Sequence, residues 1–242
     1  MKVLDFTLHT PAENLACDEA LLDEAESGHG GEVLRFWEPL EYFVVVGYSN
    51  QVAAEVNVAA CQTGGVPILR RCSGGGTVLQ GPGCLNYAVI LQITNAGSTR
   101  NISTANQFIM ERNRAAVQAA LGPSVYTVQI QGHTDLTSNG RKFSGNSQRR
   151  QRRFLLFHGT FLLAMQLGQI GRLLRMPSLQ PEYRNHRTHE DFLTNLSVSA
   201  ATLKRELQSV WSATDRREPL SHAKIAALVA QKYSLPSWNL QR

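Results

Sequence analysis

From residue 70 to residue 87 the chain reads Arg-Arg-Cys-Ser-Gly-Gly-Gly-Thr-Val-Leu-Gln-Gly-Pro-Gly-Cys-Leu-Asn-Tyr, and no other stretch restricts its folding as much. Three consecutive glycines between strand-like runs at 67–71 and 85–93 leave backbone N–H groups without side-chain cover, so a ligand can approach them closely. Arg70 and Arg71 stand at the mouth of this loop, where guanidinium groups can neutralise a carboxylate or phosphate through paired hydrogen bonds. Ser73, Gly74, Gly75, Gly76 and Thr77 are therefore candidate binding residues, together with Asn86, a polar residue inside the next apolar strand. The spacing fits neither a Walker loop nor a dinucleotide fingerprint. A glycine hairpin that only turns the chain is the plainer reading, and Asn86 can equally be a satisfied core amide. Cys72 and Cys84 lie in the same segment and raise the question of a thiol nucleophile, but neither has a neighbouring histidine in sequence.

A second segment, residues 132–150, is rich in short polar side chains around one lysine. Asn139-Gly140 is a strong hairpin signal. Lys142 alternates with Phe143 on the returning strand, and Ser144, Asn146 and Gln148 follow at strand spacing. Such a line builds a core poorly and lines a polar pocket well. An ammonium there can stabilise charge developing on an acyl oxygen and on a departing phosphate. A solvated hairpin with an exposed lysine is the competing reading, weakened by the scarcity of lysine: five against 19 arginines. Asp135 can help hold magnesium through oxygen, although one carboxylate is little to hold it with. His158, in the apolar run 155–160, is read as a core histidine sooner than a catalytic base.

Around these segments the chain reads as α+β. Thr10 as cap, Pro11 and a stop at Gly28 predict a helix over 10–28, and further helices are expected over 51–61 and 103–121. Strands are expected at 33–37, 42–46, 67–71, 85–93, 125–130, 141–144 and 154–163, and about 164–242 turns helical, with turn-rich links at 176–183 and 215–220. Without strict β–α–β alternation, these runs predict a mostly antiparallel central sheet flanked by helices, one domain over 1–242. No apolar run approaches the roughly 20 residues of a membrane span, and no signal peptide opens the chain, so a cytoplasmic protein is expected. Cys17, Cys61, Cys72 and Cys84 follow no metal-binding spacing and are expected as free thiols. The formal charge of +5 concentrates in Arg149, Arg150, Arg152 and Arg153, a cluster suited to phosphate or an acidic partner. No interleaved aromatics accompany it, so nucleic acid is not expected as a partner.

Taken together, the segments resemble the lipoate–protein ligase A family, in the wider biotin/lipoate ligase superfamily. The matching pieces are Arg70-Arg71-x-Ser-Gly-Gly-Gly-Thr-Val, Leu85-Asn86-Tyr87, Asp135-Leu136, residues 140–148 and His158-Gly-Thr160, in the family's order. Weaker echoes include Asn14-Leu-Ala-x-Asp18-Glu19, Tyr183-Arg and Trp238-Asn239, so the resemblance spans nearly the whole chain. It implies a ligase that activates lipoate (or octanoate) with ATP and magnesium to an acyl-adenylate. The acyl group then passes to a lysine of a lipoyl domain of a 2-oxoacid dehydrogenase or of a glycine-cleavage H protein. Carried over by position, Lys142 contacts carbonyl and phosphate. Arg70, Arg71, Ser73, Gly74, Gly75, Gly76, Thr77, Asn86, Asp135, Ser144, Gly145 and His158 surround the adenylate. Ligases of that family commonly carry a C-terminal accessory domain, and this sequence stops where the catalytic domain usually does; a separate accessory-domain protein is thus expected as a partner. The related octanoyltransferases use no ATP and employ a cysteine just upstream of the lysine motif. Residues 125–138 contain none, which argues against that chemistry unless Cys72 or Cys84 serves instead.

Overall fold

In the computed structural model, residues 1–123 and 127–241 are described. Strands β1 (Lys2–Asp5), β2 (Val33–Trp37), β3 (Phe43–Val46), β4 (Ile68–Arg70), β5 (Val78–Gln80) and β6 (Cys84–Gln92) make up the first half. Strands β7 (Val128–Gln131), β8 (Asp135–Ser138), β9 (Arg141–Arg150), β10 (Phe154–Leu162) and β11 (Asp215–Arg216) follow. Eight of them form one sheet in the order β11-β1-β2-β6-β10-β9-β8-β7, antiparallel except for the parallel pairings of β1 with β11 and β2. The expected α+β class with a mostly antiparallel sheet is what the fold has. The runs at 42–46 and 67–71 do not join this sheet: they pair as β4-β3-β5 in a separate three-stranded one.

Strand alternation sorts the main sheet into two faces. On one, Leu34, Phe36, Leu85, Tyr87, Val89, Leu155, Phe157 and Phe161 pack against helices α4 (Ile102–Leu121) and α7 (Ala200–Val210). Each fully buried Phe or Leu of this layer contributes roughly 1.5–3 kcal/mol. On the other face, Trp37, Ala88, Ile90 and Leu156 meet α1 (Pro11–Glu26), α8 (His222–Leu228) and the inner side of the small sheet. The same face carries Arg35, Asn86, His158 and Thr160, and this polar band is the floor of the candidate site.

Helix α1 starts as expected: the Thr10 hydroxyl accepts from Glu13 N at 3.2 Å, and the Glu13 carboxylate accepts from Thr10 N at 2.9 Å. The helix expected over 51–61 is instead two short ones, α2 (Val52–Glu55) and α3 (Val58–Thr63). Between them Val56 adopts extended backbone and bridges Leu174, while Asn57 caps the second piece. The strand expected at 141–144 runs on to Arg150, because its polar residues still pair with β10 along their length. The expected 125–130 strand is seen from Val128; residues 124–126 lie outside the described residues. The C-terminal part is helical in short pieces, with α5 (Gly168–Leu173), α6 (His189–Phe192) and α9 (Pro236–Asn239), and the link at 215–220 contributes β11.

Candidate active site

The floor begins with a buried charge that must be paired. Arg35, fully buried on β2, donates to Asp18 Oδ1 at 2.5 Å, Asn14 O at 2.9 Å and Asn14 Oδ1 at 2.7 Å. Asn14 and Asp18 are four apart in α1, so one helix face presents both to the strand. Burial raises the Asp18 carboxyl, but Arg35 and then His158 outweigh it and hold the group below its ordinary value. The other carboxylate oxygen lies 3.2 Å from His158 Nδ1, and His158 Nε2 lies 2.5 Å from Ser73 Oγ. The chain Arg35–Asp18–His158–Ser73 thus ties the sheet floor to the glycine loop.

Arg71 shapes that loop from beneath. Its guanidinium donates to Ser73 Oγ and to the carbonyls of Gly74 and Gly76, at 3.1, 2.5 and 2.8 Å. Burial draws its pKa down to about 10, so it stays cationic at neutral pH. Gly75 has φ +84, a conformation only glycine adopts freely, and the loop lies so close to Gly47 that a Cβ there would overlap the Gly75 carbonyl. The outer side is open: Cβ atoms at Gly74 and Gly76 would meet nothing within 4 Å.

Lys142 reaches the same face through a bulge in β9. Thr137 pairs with Lys142 and Leu136 with Ser144, leaving Phe143 extra. Phe143 and Ser144 then both turn toward the α4 side, with Asn146 bonding Tyr87 there, while Gly145 and Ser147 point to the floor. The lysine therefore does not share a side with Ser144, Asn146 and Gln148, as simple alternation implied. Its amine lies over Gly145, where a Cβ would stand 2.8 Å away. Ser147, one step of roughly 7 Å along the same face, donates to Ser73 Oγ at 2.7 Å, and its Cβ lies 3.3 Å from where a Gly75 Cβ would be. Amine and glycine loop thus lie over Gly145 and Ser147, alternate residues on one face of β9.

Lys142 Nζ is 2.8 Å from Asp135 Oδ1, and Asp135 Oδ2 accepts from Tyr183 Oη at 2.7 Å. Both oxygens of the carboxylate expected near magnesium are thus occupied, and Asp135 serves as the lysine's counter-ion. Burial, then the neighbouring Asp135, push the Tyr183 hydroxyl above its ordinary value. Among the described residues no three His, Cys, Asp or Glu side chains gather as a metal site.

Other expectations resolve differently. Arg70 is turned away from the loop: its guanidinium is fully buried and bonds the carbonyls of Gly47, Asn50, Trp238 and Gln241, so it fastens the C-terminal segment instead of meeting a ligand. Asn86 sits in a closed ring with Gln80 and Thr160, as a satisfied core amide. Thr77 reaches Asn50 at 3.4 Å. All four cysteines are buried free thiols, and burial pushes Cys72 and Cys84 up to about 12, far from a thiolate nucleophile at neutral pH. A cavity of about 550 Å³ lined by Asn57, Arg175, Met176 and His189 includes neither the lysine nor the loop in its lining. Asp18, Arg35, Ser147 and Tyr183 were not singled out as site residues from sequence. A lone arginine in the apolar run Val33–Trp37, facing Asn14 and Asp18 at helical spacing, was the available signal.

The family model described as the lipoyl protein ligase A/B catalytic domain matches residues 10–213. The chain belongs to this family. Among its relatives, Octanoyltransferase LipM of Carboxydothermus hydrogenoformans is 29% identical, with 76% of this chain and 72% of that protein aligned. A protein of Aeropyrum pernix provisionally named lipoate-protein ligase A is also 29% identical, over 91% of this chain and 78% of its own. A protein of Thermoplasma acidophilum provisionally named a lipoate protein ligase, solved with bound lipoic acid, superposes with TM-score 0.79 at 19% identity, covering 99% of this chain and 98% of that one. A lipoate-protein ligase A solved with ATP gives TM-score 0.78 at 20% identity, covering 99% of each chain. The lipoyl ligase A/B family joins ligases and octanoyltransferases, so this member is an acyl-transfer enzyme. No helix of its described residues is long and apolar enough to cross a membrane.

Proposed function

We propose that the chain is an ATP-dependent lipoate–protein ligase. The observation that carries the reading is the position of the Lys142 amine, over Gly145 on the strand whose Ser147 bonds the glycine loop, while Cys72 and Cys84, the thiols of the loop segment, are buried with pKa near 12. A transferase working through a cysteine would need a thiolate there.

In the first step a lipoate carboxylate oxygen attacks the α-phosphorus of ATP, and pyrophosphate leaves to give lipoyl-AMP. In the second, the acceptor lysine amine attacks the acyl carbonyl, and the carbonyl–oxygen bond to AMP breaks. Lys142 exchanges Asp135 for the carbonyl and phosphate oxygens, stabilising charge as it develops on both. The open glycine N–H groups hold the phosphate, and Arg71 keeps them in place from behind. His158, fixed by Asp18, positions Ser73 within the loop. Magnesium would arrive with ATP and screen its phosphates; among the described residues no side-chain cluster forms a site for it.

The acceptor is the lysine of a lipoyl domain or of a glycine-cleavage H protein. A neighbour of similar fold, at TM-score 0.79 and 20% identity, is described as a bi-partite lipoate protein ligase of Thermoplasma acidophilum with its E2 lipoyl domain, in keeping with an accessory domain on a second chain. Incubation with lipoate, ATP and an apo lipoyl domain, with and without such an accessory protein, tests the reading by the mass of the acceptor. ATP-dependent addition of one lipoyl group is expected. Acyl gain only from an octanoyl carrier thioester, without ATP, would assign the chain to the transferases.

A further inference from the structure

Strand β9 continues beyond the lysine and the loop. Arg149, two residues past Ser147 and on the same face, is exposed and stacks on Tyr48, with its Cζ 5.8 Å from the ring centroid. Tyr48 follows Gly47, donates its N–H to Ser73 O at 2.9 Å and leaves 39% of its surface to solvent. Its ring lies 5.8 Å from that of Trp238, and Lys232 Nζ stands 4.0 Å from the Trp238 centroid. Trp238 is fixed by its Nε1 donating to Arg70 O at 2.9 Å, and exposed Leu235 and Leu240 bracket α9. Arg149, Tyr48, Trp238 and Lys232 therefore form a row of two touching rings flanked by two cations along the rim of the glycine loop.

The charges of this rim and of the adjoining β9–β10 turn are unequally answered. Lys232 is paired with Glu19 at 2.6 Å, and Arg153 lies 3.9 Å from Glu26. Exposed Arg149 and Arg152 have no carboxylate within ion-pair distance among the described residues. Asp23, whose titration feels Arg149, already accepts from Gln151 at 2.7 Å.

We infer that this rim docks the protein that receives the acyl group, and that the partner presents carboxylates beside its target lysine. The inference rests on the acyl-transfer reading above and adds the partner's chemistry. The row touches the loop that would hold the adenylate phosphate, so a lysine entering beside it has a short path to the activated carbonyl. Tyrosine, tryptophan and arginine are the residues that concentrate binding energy at interfaces, and here their geometry is set before binding. The unanswered arginines would steer an acidic surface to the site and make the encounter salt-dependent.

The test compares wild type with Arg149→Glu/Arg152→Glu. Acceptors are an apo lipoyl domain with carboxylates flanking its lysine and a counterpart with those carboxylates changed to lysine. Hydroxylamine, too small to need docking, reports formation of the activated acyl group as hydroxamate. The double variant should raise KM for the acidic domain about tenfold or more, flatten its salt dependence and improve use of the charge-reversed domain. Hydroxamate formation should stay within about twofold of wild type, which also shows that the variant folds. An unchanged acceptor KM overturns the inference, as does a fall in hydroxamate equal to the fall in protein acylation. Arg152→Glu alone, in the β9–β10 turn, decides the matter if the double variant does not fold: a raised KM supports docking and an unchanged KM refutes it. If wild type forms no hydroxamate from lipoate and ATP, the ligase reading fails separately. The acceptor KM measured with an octanoyl carrier thioester as donor still decides the docking surface.

Discussion

Replacing Asp18 by Ala removes the counter-ion of a guanidinium that no water can reach. Arg35 is 0% exposed, and its NH1 bonds Asp18 at 2.5 Å while its Nε already lacks a partner. Breaking a buried pair from one side costs about 3–5 kcal/mol, because the remaining charge stays desolvated. For a chain of 242 residues, each kcal/mol shifts Tm by about 2–4 °C, so a fall of about 6–20 °C is expected in calorimetry or circular dichroism. The acid limb should change as well. The Asp18 carboxyl is held below its ordinary value in the fold. The stability it contributes is therefore fully present above the unfolded value of about 3.9 and disappears as pH falls through the folded one. Wild type should lose that increment below about pH 4, and Asp18→Ala should show a flatter limb there. Asp18→Leu combined with Arg35→Met, which removes both charges, should recover much of the lost Tm. A fall of under about 2 °C for Asp18→Ala would refute the claim that the pair is buried and uncompensated.

Four further outcomes follow from the geometry. Lys142→Ala should lower acyl transfer about 10²-fold or more with little change in Tm, measured by acceptor mass in single turnover. Gly145→Ala places a Cβ 2.8 Å from Lys142 Nζ and 2.9 Å from Cε, the flexible end of that side chain. The fold should survive while the displaced amine lowers kcat about 10²-fold, with near-normal activity counting against the placement. Gly159→Ala instead drives a Cβ into Asn146, which is pinned by Tyr87 and Thr134 O at 2.6 and 2.7 Å, and should cost about 1–3 kcal/mol in chemical denaturation. Native protein at pH 8 should resist iodoacetamide, since Cys72 and Cys84 are buried with pKa near 12, and Cys72→Ser should keep its activity; loss of activity would revive a thiol mechanism.

Much of this was legible in the residues because the chemistry needs rare patterns. Three glycines after paired arginines, and one lysine beside Ser144-Gly145, marked two segments in the sequence, and the family resemblance joined them in one site. What escaped was decided by backbone irregularity and by long-range pairing. Strict alternation puts Lys142 with Ser144 and Asn146; the extra residue at Phe143 moves it to the opposite face, and no local signal in Arg-Lys-Phe-Ser announces a bulge. Arg70 and Arg71 look equivalent in sequence, yet at the end of β4 successive extended residues point to opposite sides. One therefore meets the C-terminal carbonyls and the other the loop. Asn86 is polar for the sake of a buried amide ring with Gln80 and Thr160, a pairing that no spacing reveals. The break at Asn57 depends on Val56 bridging Leu174, more than 100 residues away in the chain.

One acyl-adenylate must lie between the Lys142 amine and the glycines at 74–76 for the proposed chemistry to run. A crystal structure with a non-hydrolysable lipoyl-adenylate analogue measures this directly. The ammonium should leave Asp135 and stand within about 3.5 Å of both the carbonyl oxygen and the phosphate-equivalent group, with loop N–H groups on the latter. An analogue bound in the Arg175–His189 cavity, or one leaving Lys142 on Asp135, would contradict it.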